Sequence, residues 1–123
     1  LALGAAVVLW VSGFDVIYAC QDVEADRKEG LHSIPAALGV PRALRVAAVC
    51  HVLCILAFVA LAPVAGLGLP YLAAVALAAG LLLYEHRIVS PDDLTRVNVA
   101  FFNVNGIVAL LIGAAGIADA LWR

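Results

Sequence analysis

The stretch Ala43-Leu44-Arg45-Val46-Ala47-Ala48-Val49-Cys50-His51-Val52-Leu53-Cys54-Ile55-Leu56-Ala57-Phe58-Val59-Ala60-Leu61-Ala62, running into Pro63-Val64-Ala65-Gly66-Leu67-Gly68-Leu69-Pro70, decides the fold. From Val46 to Tyr84 there is no Asp, Glu, Lys or Arg. The first part alone supplies the roughly 20 apolar residues that a helix needs to cross a hydrocarbon core about 30 Å thick. Pro41 stands where proline suits a first helical turn. The two prolines and two glycines of 63–70 predict a tight connection into a second apolar helix.

Working outward from this hairpin, three further spans emerge. Leu69 to Tyr84 forms the descending arm. Leu1 to about Cys20 reads as a helix entered midway. About Leu94 to Leu121 forms the last, opened by Ser90-Pro91-Asp92-Asp93, with Ser as N-cap, Pro in the first turn and an acid three residues after the cap. Together these predict an all-α, multi-pass transmembrane helical bundle with no soluble domain and no internal repeat.

Composition agrees. The 123 residues are 66% hydrophobic and 13% charged, against about 45–50% and 25% in soluble domains, which excludes a water-soluble globule and makes the lipid bilayer the solvent. Seven basic against nine acidic residues give a net charge of −2; with no basic stripe, a nucleic-acid partner is excluded. The chain has no Met and opens inside an apolar run, without the basic flank or A-x-A pattern of a signal peptide. It is therefore read as part of a longer protein. Cys20, Cys50 and Cys54, odd in number and set in apolar segments, imply packing and no disulfide framework.

The connections set the topology. Arg27, Lys28, Arg42 and Arg45 lie between the first and second spans, and Arg87 and Arg96 between the third and fourth. The positive-inside rule assigns that side to the cytoplasm and leaves only Arg123 on the other. The expected location is the cell (inner) membrane.

The chemistry concentrates in Gly13-Phe14-Asp15-Val16-Ile17-Tyr18-Ala19-Cys20-Gln21-Asp22-Val23-Glu24-Ala25-Asp26-Arg27-Lys28-Glu29-Gly30. On a continuous helix at about 100° per residue, Asp15, Asp22 and Asp26 fall within about 40° of one another, with Tyr18 beside them and Glu24 nearly opposite. A row of carboxylates at the end of a spanning helix is costly unless a cation sits against it. Asp22 and Asp26, one turn apart, suit Mg²⁺, which takes one or two carboxylates plus water and phosphate oxygens. Arg27 and Lys28 stand ready for the same anion. The plainer alternative is a solvated rim of acids beside two bases; Asp15, two turns inside the helix, weighs against it.

These residues resemble a known family. Asp15-x-x-Tyr18-x-x-x-Asp22-x-x-x-Asp26-x-x-x-Gly30-x-x-Ser33, followed by Gly39, is similar to the second aspartate-rich motif and adjoining loop of the UbiA superfamily of intramembrane prenyltransferases. Tyr84-Glu85-His86-Arg87 through Ser90-Pro91-x-Asp93-Leu94-x-Arg96-Val97-Asn98 to Phe101-Phe102 and Asn105-Gly106 resembles the last helix of that family, especially its 4-hydroxybenzoate branch. The resemblance implies about the last four helices of a nine-helix bundle, so that residues 1–123 form the C-terminal part of one such domain. It implies that Asp22 and Asp26 bind Mg²⁺ and act in catalysis, while Asp15, Tyr18, Lys28 and Ser33 line the diphosphate end. A polyprenyl diphosphate would donate its chain to an aromatic acceptor such as 4-hydroxybenzoate, or a hydroxynaphthoate, in ubiquinone or menaquinone biosynthesis. The first motif, of the NDxxDxxxD kind, is absent, so residues 1–123 alone are expected to be inactive.

Two other classes stand as alternatives. A CDP-alcohol phosphotransferase would begin its motif Asp-Gly-x-x-Ala-Arg, which nothing here matches. An ion or proton transporter would use the three aspartates as a relay. Elsewhere structural readings prevail: Cys50-His51-x-x-Cys54 as packing, His32 as a loop residue, His86 at headgroup level, Asn98 and Asn105 sharing one face of the last helix, and Asp119 paired with Arg123. Trp10, Tyr71, Tyr84 and Trp122 read as anchors or packing.

Overall fold

The computed structural model describes residues 1–122; of Ala100 and Phe101 only the backbone course is described. The described residues form six α-helices: α1 (Ala2–Ala19), α2 (Val23–Lys28), α3 (Ile34–Leu38), α4 (Val40–Ala65), α5 (Leu69–Ile88) and α6 (Asn105–Leu121). A 3₁₀ turn, Cys20–Asp22, joins α1 to α2, and a π-helical stretch, Val99–Val104, leads into α6. Among the described residues, four stretches are long and apolar enough to cross a bilayer: Ala2–Lys28, Val40–Ala65, Leu69–Ile88 and Phe102–Leu121. The multi-pass helical bundle expected from hydropathy is the fold.

The hairpin differs from expectation at its tip. Pro63 does not end α4, which continues to Ala65 and stops at Gly66 in the left-handed conformation (φ 67°, ψ 30°). Leu67 N–H then donates to the Ala62 carbonyl at 2.8 Å, a closure that only a residue without a Cβ penalty accepts comfortably. At its other end α5 runs four residues beyond Tyr84, through Glu85 and His86 to Ile88.

The start of the last span is also corrected. Ser90 Oγ does accept from Asp93 N–H at 3.1 Å, as an N-cap would, but Ser90 and Asp93 exchange backbone hydrogen bonds and close a turn. Helix resumes only at Val97. The π-helical stretch then shifts the register between Asn98 and Asn105, so their spacing of seven no longer closes two α turns. Asn98 is exposed and Asn105 half-buried. Phe101 and Arg123, both used in the sequence reading, lie outside the residues whose side chains are described. Asp119 accepts a hydrogen bond from Gly68 N–H, tying the end of α6 to the α4–α5 turn.

Two apolar clusters hold the helices together. Along the bundle, Ala6 and Phe14 of α1 meet Cys54, Phe58 and Ala62 of α4, while Tyr71, Val75, Ala78 and Leu82 of α5 meet Val104, Val108 and Ile112. Tyr71 is buried, and its hydroxyl donates to the Phe58 carbonyl at 3.0 Å. At the charged end, Val16, Ile17 and Cys20 pack with Ala43, Ala47, Val89 and Val97. The outward faces carry exposed Val, Leu and Ile side chains, such as Val52, Leu77 and Leu110, as a hydrocarbon solvent requires.

Candidate functional site

The clustering of Val16, Ile17 and Cys20 with Ala43, Val89 and Val97 brings the motif-bearing segments to one end of the bundle. There α1 hands over to α2 through Cys20–Asp22. A 3₁₀ residue turns about 120° against about 100° in an α-helix, so three of them rotate the next helix by about 60°. Asp22 and Asp26 are stepped around the helix from Asp15, and the single straight row expected of a continuous helix is corrected accordingly. Asp15 and Asp22 are exposed and Asp26 is half-buried. Among the described residues the three carboxylates are not drawn together within 4.8 Å, the spacing that marks a preassembled ligand cluster elsewhere in the chain.

The flanking residues are placed by local hydrogen bonds. Arg27 Nε donates to the Ala36 carbonyl at 3.0 Å, pinning α2 to α3. Ser33 caps α3: its Oγ accepts from Ala36 N–H at 3.2 Å, with Pro35 in the first turn. That bond uses a lone pair and leaves the hydroxyl proton able to donate. Tyr18 is exposed on the same length of helix as Asp15 and Asp22, and Lys28 is exposed at the end of α2. The end of the bundle thus offers hard carboxylate oxygens, an ammonium, a phenol and a hydroxyl on short, tethered helices.

Hard carboxylate oxygens are the donors that Mg²⁺ takes, and an ammonium beside them favours an anion. Mg²⁺ keeps several waters and takes only one or two carboxylates when phosphate oxygens complete its shell, so exposed acids separated along a helix suit it better than a closed cage. Lys28 would meet the anion as a point charge.

A second polar group lies deeper. His51, in the middle of α4, is only 3% exposed, and Glu85, in the last turns of α5, is 0% exposed. His51 Nδ1 lies 2.8 Å from His86 Nε2 and 3.6 Å from Glu85 Oε1. His51 Nε2 faces the Trp10 carbonyl of α1 at 3.3 Å. His86 is turned toward His51, because α5 extends past Tyr84 and keeps packing against α4. Sequence reasoning missed this group. Its one local signal was an acid, Glu85, directly after the uncharged run from Val46 to Tyr84. Cys50 and Cys54 carry free thiols, Cys54 within the core.

The comparisons with known proteins point one way. The model of the UbiA prenyltransferase family matches residues 1–107. The chain is 31% identical over 106 residues to a 4-hydroxybenzoate octaprenyltransferase of Nitrosospira multiformis, an alignment covering 86% of this chain and 36% of that protein. This chain therefore spans about a third of the length of the curated relative it matches. No solved structure matches it. With the family match covering both the acidic helix and the turn before α6, the chain belongs to the UbiA prenyltransferase family.

Proposed function

We propose that residues 1–123 supply one half of an intramembrane site that transfers a polyprenyl group from its diphosphate to an aromatic acceptor, of the 4-hydroxybenzoate or hydroxynaphthoate kind, in quinone biosynthesis. The observation that carries this reading is the exposure of Asp15, Tyr18, Asp22 and Lys28 along one tethered helix end of a membrane bundle, in a chain of the prenyltransferase family. Three acids at one end of an apolar bundle attract a cationic partner, and a magnesium diphosphate provides one.

In this reading Asp22 and Asp26 hold Mg²⁺, which when bound offsets the charge of the departing diphosphate. Asp15 extends the carboxylate series toward the bilayer. Lys28 and the Ser33 hydroxyl donate to diphosphate oxygens, with the Ser33 cap and the Arg27–Ala36 bond tying the loop to α3. Tyr18 presents its phenol beside them. The apolar helix walls take the isoprenoid tail and keep water from the allylic carbon once its bond to oxygen loosens. The basic residues Arg27, Lys28, Arg42, Arg45, Arg87 and Arg96 at this end orient it toward the cytoplasm.

The test uses the intact protein in membranes with a polyprenyl diphosphate and 4-hydroxybenzoate. Replacing Asp22 by Asn should lower transfer by about 10²–10³-fold, the scale of removing one strong electrostatic contact, with insertion unchanged. Full activity of that variant removes Asp22 from the site. Residues 1–123 by themselves carry no NDxxDxxxD motif and are expected to transfer nothing.

A further inference from the structure

His51, Glu85 and His86 bring one ligand atom each within 4.8 Å of one another, apart from the acidic helix end to which the proposed function assigns prenyl transfer. Counted from the Gly66–Gly68 turn, His51 lies about 21 Å along α4 and Glu85 about 24 Å along α5, so the two helices present them at the same depth inside the bundle. Both Glu85 oxygens are buried, and neither has a hydrogen-bond partner among the described residues. A carboxylate so placed is costly unless a cation or a proton satisfies it.

The hydrogen-bonding geometry discriminates between these two. The Trp10 carbonyl can only accept, so the ring nitrogen facing it, His51 Nε2, carries the proton, and Nδ1 turns a lone pair toward His86 and Glu85. A proton shared between the imidazoles across 2.8 Å satisfies the rings and leaves the carboxylate unpartnered. A proton on Glu85 itself finds the ring nitrogens at 3.6 and 4.0 Å, beyond hydrogen-bond reach. A divalent ion satisfies all three at once. Two nitrogens and one oxygen around tetrahedral Zn²⁺, with bonds of about 2.0–2.2 Å, sit about 3.3–3.5 Å apart, a value that the three observed separations bracket.

We infer that His51 Nδ1, His86 Nε2 and Glu85 Oε1 form a binding site for a borderline divalent cation of the Zn²⁺ class, clamping α4 to α5. The donor set excludes Mg²⁺ as the preferred occupant, because imidazole nitrogens suit zinc and its neighbours while Mg²⁺ takes oxygen. The Trp10 carbonyl supplies the outer-shell hydrogen bond that metal-bound histidines usually have and ties α1 into the same clamp. A cavity of about 390 Å³ between α4 and α5, lined by both histidines and otherwise by apolar side chains such as Val52, Ile55 and Leu82, leaves room for a fourth, exogenous ligand. Binding draws Glu85 inward by a few tenths of an ångström and spreads the two rings by about as much.

The experiment measures metal on the intact protein purified in detergent, stripped with a chelator and given Zn²⁺ or Co²⁺. One equivalent of zinc should remain after washing, Co²⁺ should give the visible bands of a tetrahedral ion, and zinc should raise the Tm. Glu85→Gln keeps the shape and should weaken zinc binding at least 10-fold and abolish the Tm shift; His86→Gln should do the same, so that misfolding of one variant does not decide the matter. Asp22→Asn should bind zinc as the wild type does, which separates this site from the diphosphate site. Absence of retained zinc in the wild type, or equal retention by Glu85→Gln and His86→Gln, overturns the assignment and leaves a protonated carboxyl beside a histidine pair.

Discussion

Gly13 of α1 lies directly against the imidazole of His51 in α4: a Cβ at residue 13 would overlap Nε2 and Cδ2 and sit 3.0 Å from Cε1. The close approach lets Nε2 reach the Trp10 carbonyl one turn earlier on α1, and Phe14 stacks at a tilt on the same ring, with centroids 4.9 Å apart. Gly13→Ala should therefore push the imidazole out of its place. The expected cost is about 1–3 kcal/mol, the usual range for overpacking, read as a lowered Tm of the purified protein. A wild-type Tm in Gly13→Ala would show that the ring has somewhere else to go.

At the opposite end of the bundle, Asp119 accepts from Gly68 N–H, which precedes the first turn of α5. The amide is one of the donors that a helix start leaves unsatisfied. Asp119→Ala should cost about 1–3 kcal/mol through the lost charge-assisted bond, and the loss should appear as faster hydrogen exchange at Gly68 and in the first turn of α5. Unchanged exchange there means the bond contributes nothing to holding the turn.

The turn before α6 carries a titration signature. Thr95 donates both its hydroxyl (2.6 Å) and its backbone N–H (3.0 Å) to Asp93 Oδ1, and these bonds hold the Asp93 carboxyl below the usual carboxylate range. A carboxyl depressed in the folded state adds stability above the ordinary carboxylate pKa and loses it as the pH falls through the depressed value. The 90–95 turn should stay ordered in mild acid and open only beneath the range where a free aspartate titrates. Thr95→Val removes the hydroxyl donor and should move the Asp93 midpoint upward, toward the ordinary value, in an NMR titration; an unmoved midpoint assigns the effect elsewhere.

Lys28 and Asp26 should separate by the salt they respond to. If Lys28 meets the diphosphate as an exposed point charge, Lys28→Ala should raise KM for the prenyl donor several-fold with a smaller change in kcat, and the difference from wild type should shrink at high ionic strength, where exposed charges are screened. Asp26→Asn should instead lower kcat and shift the Mg²⁺ requirement upward. The reverse pattern would exchange the roles given to the two residues.

Much of the fold was legible along the chain because membrane helices are specified locally. The uncharged residues between Arg45 and Pro63 make a span whatever surrounds them, and the acids at 15, 22 and 26 mark one end without reference to any partner. The extent of α5 past Tyr84 was not legible: Glu85 and His86 look like headgroup residues until α4 offers His51 at the same depth. Neither was the true start of the last span. The Ser90-Pro91-Asp92-Asp93 signature fits both a helix cap and a closed turn, and the backbone bonds between Ser90 and Asp93 chose the turn.

The sequence by itself determined the solvent, the number of spanning helices, the gathering of the charges into the connections between spans and the aspartate motif. All of these depend on hydropathy, charge and spacing between near neighbours. Only the tertiary structure decided that His51 meets Glu85 and His86, from 34 and 35 residues away in the chain, and that a 3₁₀ turn steps Asp22 and Asp26 away from Asp15. Contacts between helices arise from side-chain shape across an interface, which no local pattern encodes.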